Sequence, residues 1–308
     1  TRTQIRLRTW GLLFEQSLKK SIYMVSVVEQ MEVLRLNGIE IHSSSLTNGA
    51  KTVVVPYRCT ENNEGGVVAV YAIVHCGSNF EQMGKGGLAH FLEHLNFKVH
   101  SHGRSSETKG SLKTVWSLER EQGVTINAFT NSIATAYYFI GPANTLADIV
   151  KTDVKRWTTK NGEGVRIPPF NAADLEKERK VVQQEWQRGQ NNLEELMWKE
   201  LVRMACSHED HPTIGTIEEI ENTQFADLSA FFLENYNAEA MTLLVVGDVD
   251  VGETMALLED VYRDVPRGKS VLPVPLQTPH YGVLLRNVKQ AIRLCPILMA
   301  FRVRYWKE

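Results

Sequence analysis

The stretch GLAHFLEHLNFK, residues 87–98, places three polar side chains in an otherwise apolar run. His90 and His94 are four residues apart, so on a helix they share one face, and Glu93 lies beside them. Two imidazoles and a carboxylate at one spot can bind a metal ion or transfer protons. The stretch therefore predicts a helix that carries a functional site.

These three residues follow the order H-x-x-E-H, the reverse of the H-E-x-x-H metallopeptidase motif. Zinc accepts imidazole nitrogens and carboxylate oxygens, and a catalytic zinc site typically has three protein ligands and one water molecule. His90 and His94 would supply two ligands, and Glu93 would take a proton from the metal-bound water. The motif leaves a second interpretation open, in which both histidines are core or surface residues that bind no metal.

A third ligand is available in EKERKVVQQEW, residues 176–186. This segment lies in a long predicted helix that Asn171 caps and that runs from about Ala172 to Cys206. Glu178 and Glu185 are two helical turns apart and project from the same face. One carboxylate could bind the metal while the other orients a histidine or a neighbouring group. Taken alone, two glutamates at this spacing more often form a solvated charged stripe.

The composition indicates a globular protein and points to no charged partner. The chain has 308 residues, is 43% hydrophobic and carries a formal net charge of −2, so nothing favours a nucleic-acid or membrane surface. Four cysteines without C-x-x-C spacing predict buried free thiols in a reducing compartment. The longest apolar runs, such as 67–74, are far shorter than the about 20 residues of a transmembrane helix.

The first 20 residues are basic, with Glu15 as their one acid. They match part of an organellar transit peptide in composition, and equally a mature terminus left after its cleavage. A basic amphipathic helix that packs on the domain is slightly favoured over a retained signal. Their composition slightly favours a mitochondrial or plastid location over a cytosolic one.

Hydrophobic periodicity predicts an α+β fold. The β-branched runs at 50–57 and 67–75 predict two strands that pair with each other. Further strands are predicted in VTINAFT (124–130), TAYYFIG (135–141) and AMTLLVVGDVD (240–250). Besides the helices described above, helical patterns cover 111–123, 143–157, 226–236 and 252–265.

Six segments together resemble one protein family. They are LTNGAKTVVV (46–55), CGSNFEQMGKGGLAHFLEHLNFK (76–98), INAFTNSIATAYYF (126–139), LEKERKVVQQEW (175–186), HPTIGTIEEI (211–220) and YNAEAMTLLVVGDVD (236–250). In this order they resemble the pitrilysin-type, inverse-zincin metallopeptidases, which include insulin-degrading enzyme and the mitochondrial and plastid processing peptidases. The resemblance spans about residues 46–262.

The resemblance implies roles for individual residues. His90, His94 and Glu185 would bind one zinc ion, Glu93 would be the general base, and Glu178 would support the site through hydrogen bonds. NAFT, residues 127–130, corresponds to an edge strand on which Asn127 and Ala128 offer backbone groups to an extended peptide. From the residues alone, Asn127 could also finish a turn and Phe129 fill the core.

Composition and the resemblance together predict a domain division. A basic extension (1–35) precedes a zinc metallopeptidase domain (36–265) with a mostly antiparallel sheet flanked by helices. A proline-rich linker (266–279) then leads to the beginning of a second, similar domain (280–308). Family members join two homologous halves around a closed chamber, and the second half supplies an Arg and a Tyr that no residue here matches.

The implied function is zinc-dependent endopeptidase activity on unfolded peptides or presequences, through Glu-assisted attack of a zinc-bound water. The expected partners are peptide substrates and a second homologous half or subunit, as a hetero- or homodimer, without nucleic acid or a transmembrane segment. Three explanations for the short length stay open: a fragment, a protomer that needs its partner, or a structural core or assembly subunit of a respiratory-type complex.

Overall fold

The computed structural model describes residues 31–58, 66–98, 115–197 and 212–269. Within these ranges, seven strands form one sheet in the order β1-β2-β3-β7-β4-β6-β5. The strands are β1 (Glu32–Leu36), β2 (Ile39–Ser45), β3 (Lys51–Pro56), β4 (Val67–Val74), β5 (Thr125–Thr130), β6 (Thr135–Pro142) and β7 (Met241–Gly247). All neighbouring strands are antiparallel except β3 and β7, which are parallel. The predicted α+β fold with a mostly antiparallel sheet is confirmed.

The predicted pairing of 50–57 with 67–75 is wrong, because β7 lies between β3 and β4. β7 reads MTLLVVG and pairs with β3 on one side and with β4 on the other. Strands next but one to each other are about 10 Å apart, a distance that the ten residues 57–66 easily span. Nearness in sequence therefore did not decide the pairing, since an apolar strand from much later in the chain satisfies both edges.

The α-helices with both ends in the described ranges are α1 (Leu88–Leu95), α2 (Val115–Gln122), α3 (Leu146–Asp153), α4 (Lys155–Thr158), α5 (Ala172–Gln190), α6 (Ile217–Asn222), α7 (Phe225–Asn235) and α8 (Val251–Tyr262). α2 ends where predicted, at Gly123, whose φ of +67° lies in the left-handed region that favours glycine. No helix in the described ranges has both the length and the apolar composition that crossing a bilayer requires.

α5 begins as predicted and ends earlier than predicted. Asn171 accepts a hydrogen bond from the N–H of Asp174, and the Asp174 side chain accepts one from Asn171 in return, which forms a capping box. The helix ends at Gln190, and helical residues resume at 193 and run to 197, where this described range ends; Cys206 lies outside the described residues. Asn192 caps this next segment, because its side chain accepts hydrogen bonds from the N–H groups of Glu194 and Glu195.

α1 is buried against the sheet and against other helices. Its apolar side chains Leu88, Phe91, Leu92 and Leu95 belong to the central core. The helix contacts β5, β6, α5 and α7. Its polar residues contact the two elements on either side, with Glu93 touching β5 and both histidines touching α5.

Two predicted domain boundaries, at residues 36 and 266, can be compared with the structure. β1 begins at Glu32, so the sheet starts before residue 36. The described residues end at 269, so most of the predicted linker and all of 280–308 lie outside them, as do residues 1–30. Among the cysteines, Cys76 is a buried free thiol, as predicted, and Cys59, Cys206 and Cys295 lie outside the described residues.

Candidate metal centre

The N-terminal end of α1 is fixed by a glycine and a buried acid. Gly87 adopts a φ of +87°, and a Cβ added there would lie 2.7 Å from the carbonyl oxygen of Ile214. The Glu81 carboxyl group is buried and accepts hydrogen bonds from the N–H groups of Gly87 and Ala89, at 2.9 and 2.8 Å. Burial raises the pKa of Glu81 to about 8 against the effect of these donors. Both features set the position of the helix that carries His90 and His94.

The C-terminal end of α1 is held by a buried arginine. Arg156 donates from Nε to the carbonyl oxygen of Asn96 at 3.2 Å and forms an ion pair with Asp153. Asp153 also accepts hydrogen bonds from Trp157 and Tyr262. Both members of the ion pair are 1% exposed. The carbonyl end of α1 thus meets a fixed positive charge, which suits the negative end of the helix dipole.

His90, His94 and Glu185 converge although Glu185 lies on a different helix. One ligand atom from each residue lies within 4.8 Å of the others. Oε2 of Glu185 is 3.6 Å from Nε2 of His90 and 3.4 Å from Nε2 of His94. The histidine side chains are largely buried, whereas 47% of the Glu185 side chain is exposed. The cluster is therefore open to solvent on the Glu185 side.

The donor atoms fit zinc. Two ligand atoms on a tetrahedral zinc ion, with bonds of about 2.0–2.1 Å, lie about 3.3–3.4 Å apart. The separations of Glu185 from the two imidazoles are close to this value. Two nitrogens and one carboxylate oxygen also match a catalytic zinc site, which keeps a further position for water or substrate. The residues present are those that zinc would require.

Glu178 lies directly behind His94. Its Oε2 atom is 3.3 Å from Nδ1 of His94, and its Oε1 atom is 2.6 Å from Nζ of Lys98. Burial of Glu178 raises its pKa, but the interactions with His94 and Lys98 outweigh this effect and hold the pKa below its ordinary value. Because Glu178 contacts Nδ1 of His94, the other ring nitrogen, Nε2, is directed toward Glu185. The sequence interpretation missed Lys98, although it follows His94 by one helical turn.

The charges around the cluster shift two further pKa values. Burial lowers the pKa of His94, but hydrogen bonding to Glu178 and Glu185 outweighs it and raises the pKa to about 9. The pKa of Glu185 is held far below its ordinary value by the His90 and His94 imidazoles. The metal-free site therefore contains an ionised Glu185 next to a His94 that is protonated at neutral pH.

Glu93 lies next to the cluster and contacts β5. Its Oε2 atom accepts a hydrogen bond of 2.6 Å from Oγ1 of Thr130, the last residue of that strand. Sequence reasoning did not single out Thr130. The sequence feature that could have indicated Thr130 is its position at the end of NAFT, the segment expected to lie along the substrate.

β5 is an edge strand of the sheet in the described part of the chain. Asn127 and Ala128 are in the middle of it, and the Asn127 side chain accepts a hydrogen bond from the N–H of Ala128. Phe129 is 47% exposed, so it does not fill the core, and Asn127 does not finish a turn. The edge places an extended row of backbone groups beside α1 and the cluster.

Two family models match the chain. The model described as "Insulinase (Peptidase family M16)" matches residues 58–216, and the one described as "Peptidase M16 inactive domain" matches residues 222–308. The first match covers half of the chain and contains every residue of the cluster. The second match begins at the end of α6. It includes α7, β7 and α8, which complete the same sheet and core.

Curated relatives have similar sequences. The mitochondrial-processing peptidase subunit beta of Blastocladiella emersonii is 28% identical over 213 residues, which cover 68% of this chain and 42% of the relative. The zinc protease PqqE of Helicobacter pylori is 28% identical over 237 residues, which cover 76% of this chain and 49% of the relative. The chain thus spans less than half the length of these relatives.

Solved structures share the fold. A protease from Helicobacter pylori matches with a TM-score of 0.60 and 26% identity, over 77% of this chain and 52% of that one. The periplasmic protease PqqL from Escherichia coli matches with a TM-score of 0.62 and 22% identity, over 80% of this chain and 26% of that one. Together with the match over residues 58–216, these similarities agree with the pitrilysin-type resemblance, and the chain belongs to the insulinase family, peptidase family M16.

Proposed function

We propose that this chain is the zinc-binding half of a metalloendopeptidase that hydrolyses unfolded peptides or presequences. His90, His94 and Glu185 would hold one zinc ion, and Glu93 would be the general base. The observation that carries the proposal is the convergence of these three ligand atoms within 4.8 Å, in a cluster that is open to solvent on the Glu185 side and lies next to Glu93.

In this proposal, each residue has a separate chemical task. When bound, zinc would act as a Lewis acid that makes a water molecule more acidic and polarises the scissile carbonyl. Glu93 takes the proton of the attacking water and delivers it to the leaving amine. Glu178 holds His94 through Nδ1, so that Nε2 stays directed into the cluster. No acyl-enzyme is formed, because the nucleophile is water.

The edge of β5 supports binding of an extended peptide. A peptide that adds to a sheet edge gains main-chain hydrogen bonds, which do not depend on its sequence. Asn127 and Ala128 would provide such groups after the internal bond between them opens. This mode accepts only segments that can become extended, which agrees with unfolded peptides as substrates.

A second homologous half or subunit is the partner that we propose. The chain covers 52% of the Helicobacter pylori protease structure, and another matched structure is titled the first half of PqqL. The relative from Blastocladiella emersonii is named as a subunit. A site with its Glu185 side exposed suits closure by such a partner. The complete set of ligands and base speaks against a purely structural or assembly role.

The test is cleavage of a flexible, unstructured peptide by the full chain, purified natively with any partner that accompanies it. Glu93→Gln is the matched control, since it keeps the shape of the side chain and removes the base. Cleavage by the wild type and its loss in the control would support the proposal. If neither form cleaves despite bound zinc and an intact assembly, the structural-subunit explanation takes its place.

A further inference from the structure

We propose that Thr130 is a positioning residue for Glu93: its hydroxyl fixes the orientation of the carboxylate that takes the proton from water. The inference rests on the proposed function, because it assigns a role only if Glu93 is the base. Thr130 itself does not touch the substrate or the metal ligands in this role. It acts through Glu93 alone.

The contact has the geometry of a strong hydrogen bond. Oγ1 of Thr130 lies 2.6 Å from Oε2 of Glu93, and hydroxyl donors to carboxylates are typically about 2.5–2.7 Å from the acceptor. The side chains of β5 alternate between exposed and partly buried, and Thr130 is on the partly buried face with Ile126 and Ala128. This is the face that packs against the core, and α1 contacts β5 there.

The surroundings direct the Thr130 hydroxyl hydrogen toward Glu93. A second acceptor for this hydrogen is Oγ1 of Thr135, which is 3.4 Å away. Thr135 is fully buried and donates its own hydrogen to the carbonyl oxygen of Cys76 at 3.0 Å. The bond to Glu93 is therefore much the shorter of the two, so Thr130 donates to the Glu93 carboxyl group.

The backbone of Thr130 is also fixed. Residue 130 pairs with residue 135 at the end of the β5–β6 hairpin. In the loop, Asn131 bonds through its backbone N–H to the carbonyl oxygen of Ala134, and its side chain accepts from the N–H groups of Ile133 and Ala134. The donor thus sits on a closed hairpin, and not on a free loop tip.

This arrangement gives the glutamate a defined orientation. A glutamate side chain has three rotatable bonds, and one anchored oxygen restricts them while the other oxygen stays available for the proton of water. The anchor belongs to the strand along which the peptide would add. The same strand would therefore position both the base and the substrate. Removing the Thr130 hydroxyl should lower the turnover rate and have little effect on peptide binding.

The test compares Thr130→Val, which keeps the shape without the hydroxyl, with Thr130→Ser, which keeps the hydroxyl. The matched control is Thr125→Val, the same change at an exposed position of the same strand. Using the full chain with its partner, we expect Thr130→Val to lower kcat about 10- to 100-fold, the range for losing a hydrogen bond to a charged group. KM and zinc content should stay near the wild-type values, and Thr130→Ser should restore most of kcat.

A second measurement does not depend on turnover. In protein labelled with ¹³C-carboxyl glutamate, the Glu93 resonance is the one that disappears in Glu93→Gln. It should shift in Thr130→Val and stay near its wild-type position in Thr130→Ser and Thr125→Val. The same spectra and a melting curve show whether each variant is folded.

Two results would overturn the inference. One is a Thr130→Val variant that keeps the wild-type kcat and Glu93 resonance. The other is a Thr130→Ser variant as impaired as Thr130→Val, which would indicate that the methyl group matters instead of the hydroxyl. Failure of the proposed function would look different, since the wild type itself would then cleave no peptide.

Discussion

Nδ1 of His94 lies 3.3 Å from Oε2 of Glu178, a residue 84 positions later in the chain. This contact joins α1 to α5 and leaves the other nitrogen of His94 3.4 Å from Glu185. A histidine whose second nitrogen bonds to a carboxylate has a fixed ring orientation and is a more basic metal ligand. The two glutamates of α5 thus face His94 from two sides. Replacing one or the other should change zinc affinity by different amounts.

Replacing the proposed base should separate metal binding from cleavage. We expect Glu93→Gln to keep bound zinc and to lower kcat about 10²- to 10⁴-fold, the typical contribution of general acid–base catalysis. Zinc content by atomic absorption and peptide cleavage, measured on the same preparation, check this. Loss of zinc in this variant would show that Glu93 is a ligand.

The two glutamates of α5 should have unequal effects on zinc affinity. Glu178→Gln removes a partner of a ligand, and we expect zinc affinity to fall about 10- to 100-fold. Glu185→Gln removes a ligand atom, so its zinc affinity should fall further. Competition with a chelator of known affinity measures both. Full zinc occupancy in Glu185→Ala would exclude Glu185 as a ligand.

Zinc binding should release a proton at neutral pH. The pKa of His94 is about 9 in the metal-free site, and a metal ligand must be a neutral imidazole. Apparent zinc affinity should therefore rise with pH up to about 9. Calorimetry in two buffers with different ionisation enthalpies should show close to one proton released per zinc at pH 7.5. Glu178→Gln should release fewer, because Glu178 is one cause of the raised pKa.

The same shift affects the stability of the metal-free protein, with a definite sign. The folded-state pKa of His94 is above its ordinary value of 6.5, so its contribution is fully present below pH 6.5. The contribution is lost as pH rises toward 9. Urea unfolding of the metal-free chain should show this loss between pH 6.5 and 9, and the loss should be smaller in Glu178→Gln.

Removing Arg156 should destabilise the fold. Arg156→Met leaves Asp153 as a buried charge without its cation, and breaking a buried pair in this way costs about 3–5 kcal/mol of unfolding free energy. Urea denaturation measures the change. The double variant Arg156→Met with Asp153→Asn should lose less than the sum of the two single changes, whereas additive losses would mean that the pair is not coupled.

Local sequence patterns predicted where the strands and helices lie better than they predicted which strands pair with each other. The strands at 124–130 and 135–141 are separated by a short loop and pair as neighbours, so the local pattern was sufficient. The order of β3, β7 and β4 follows from which distant strand best satisfies two open edges, which no local pattern contains. The single long helix predicted from Ala172 is interrupted after Gln190, where the side chain of Asn192 caps the helical residues that follow.

The spacing of His90, Glu93 and His94 predicted that they share one helix face, and the spacing of Glu178 and Glu185 did the same for α5. That these two faces meet is a tertiary fact. The spacing offered the two glutamates as possible ligands, and the family resemblance assigned the metal to Glu185. Lys98 and Thr130 were missed because their roles depend on a single distance each, to Glu178 and Glu93. A threonine at a strand end has no distinctive pattern.

The central position of β7 also constrains the order in which the chain can fold. β3 and β4 are synthesised by residue 74, but the strand that joins them begins only at Met241. Until then each has an unpaired apolar edge, which can pair with other chains and lead to aggregation. Such long-range closure is slow, and a fragment that stops at residue 216, where the first family match ends, could not complete the sheet. A nascent chain should therefore need protection by chaperones until β7 has left the ribosome.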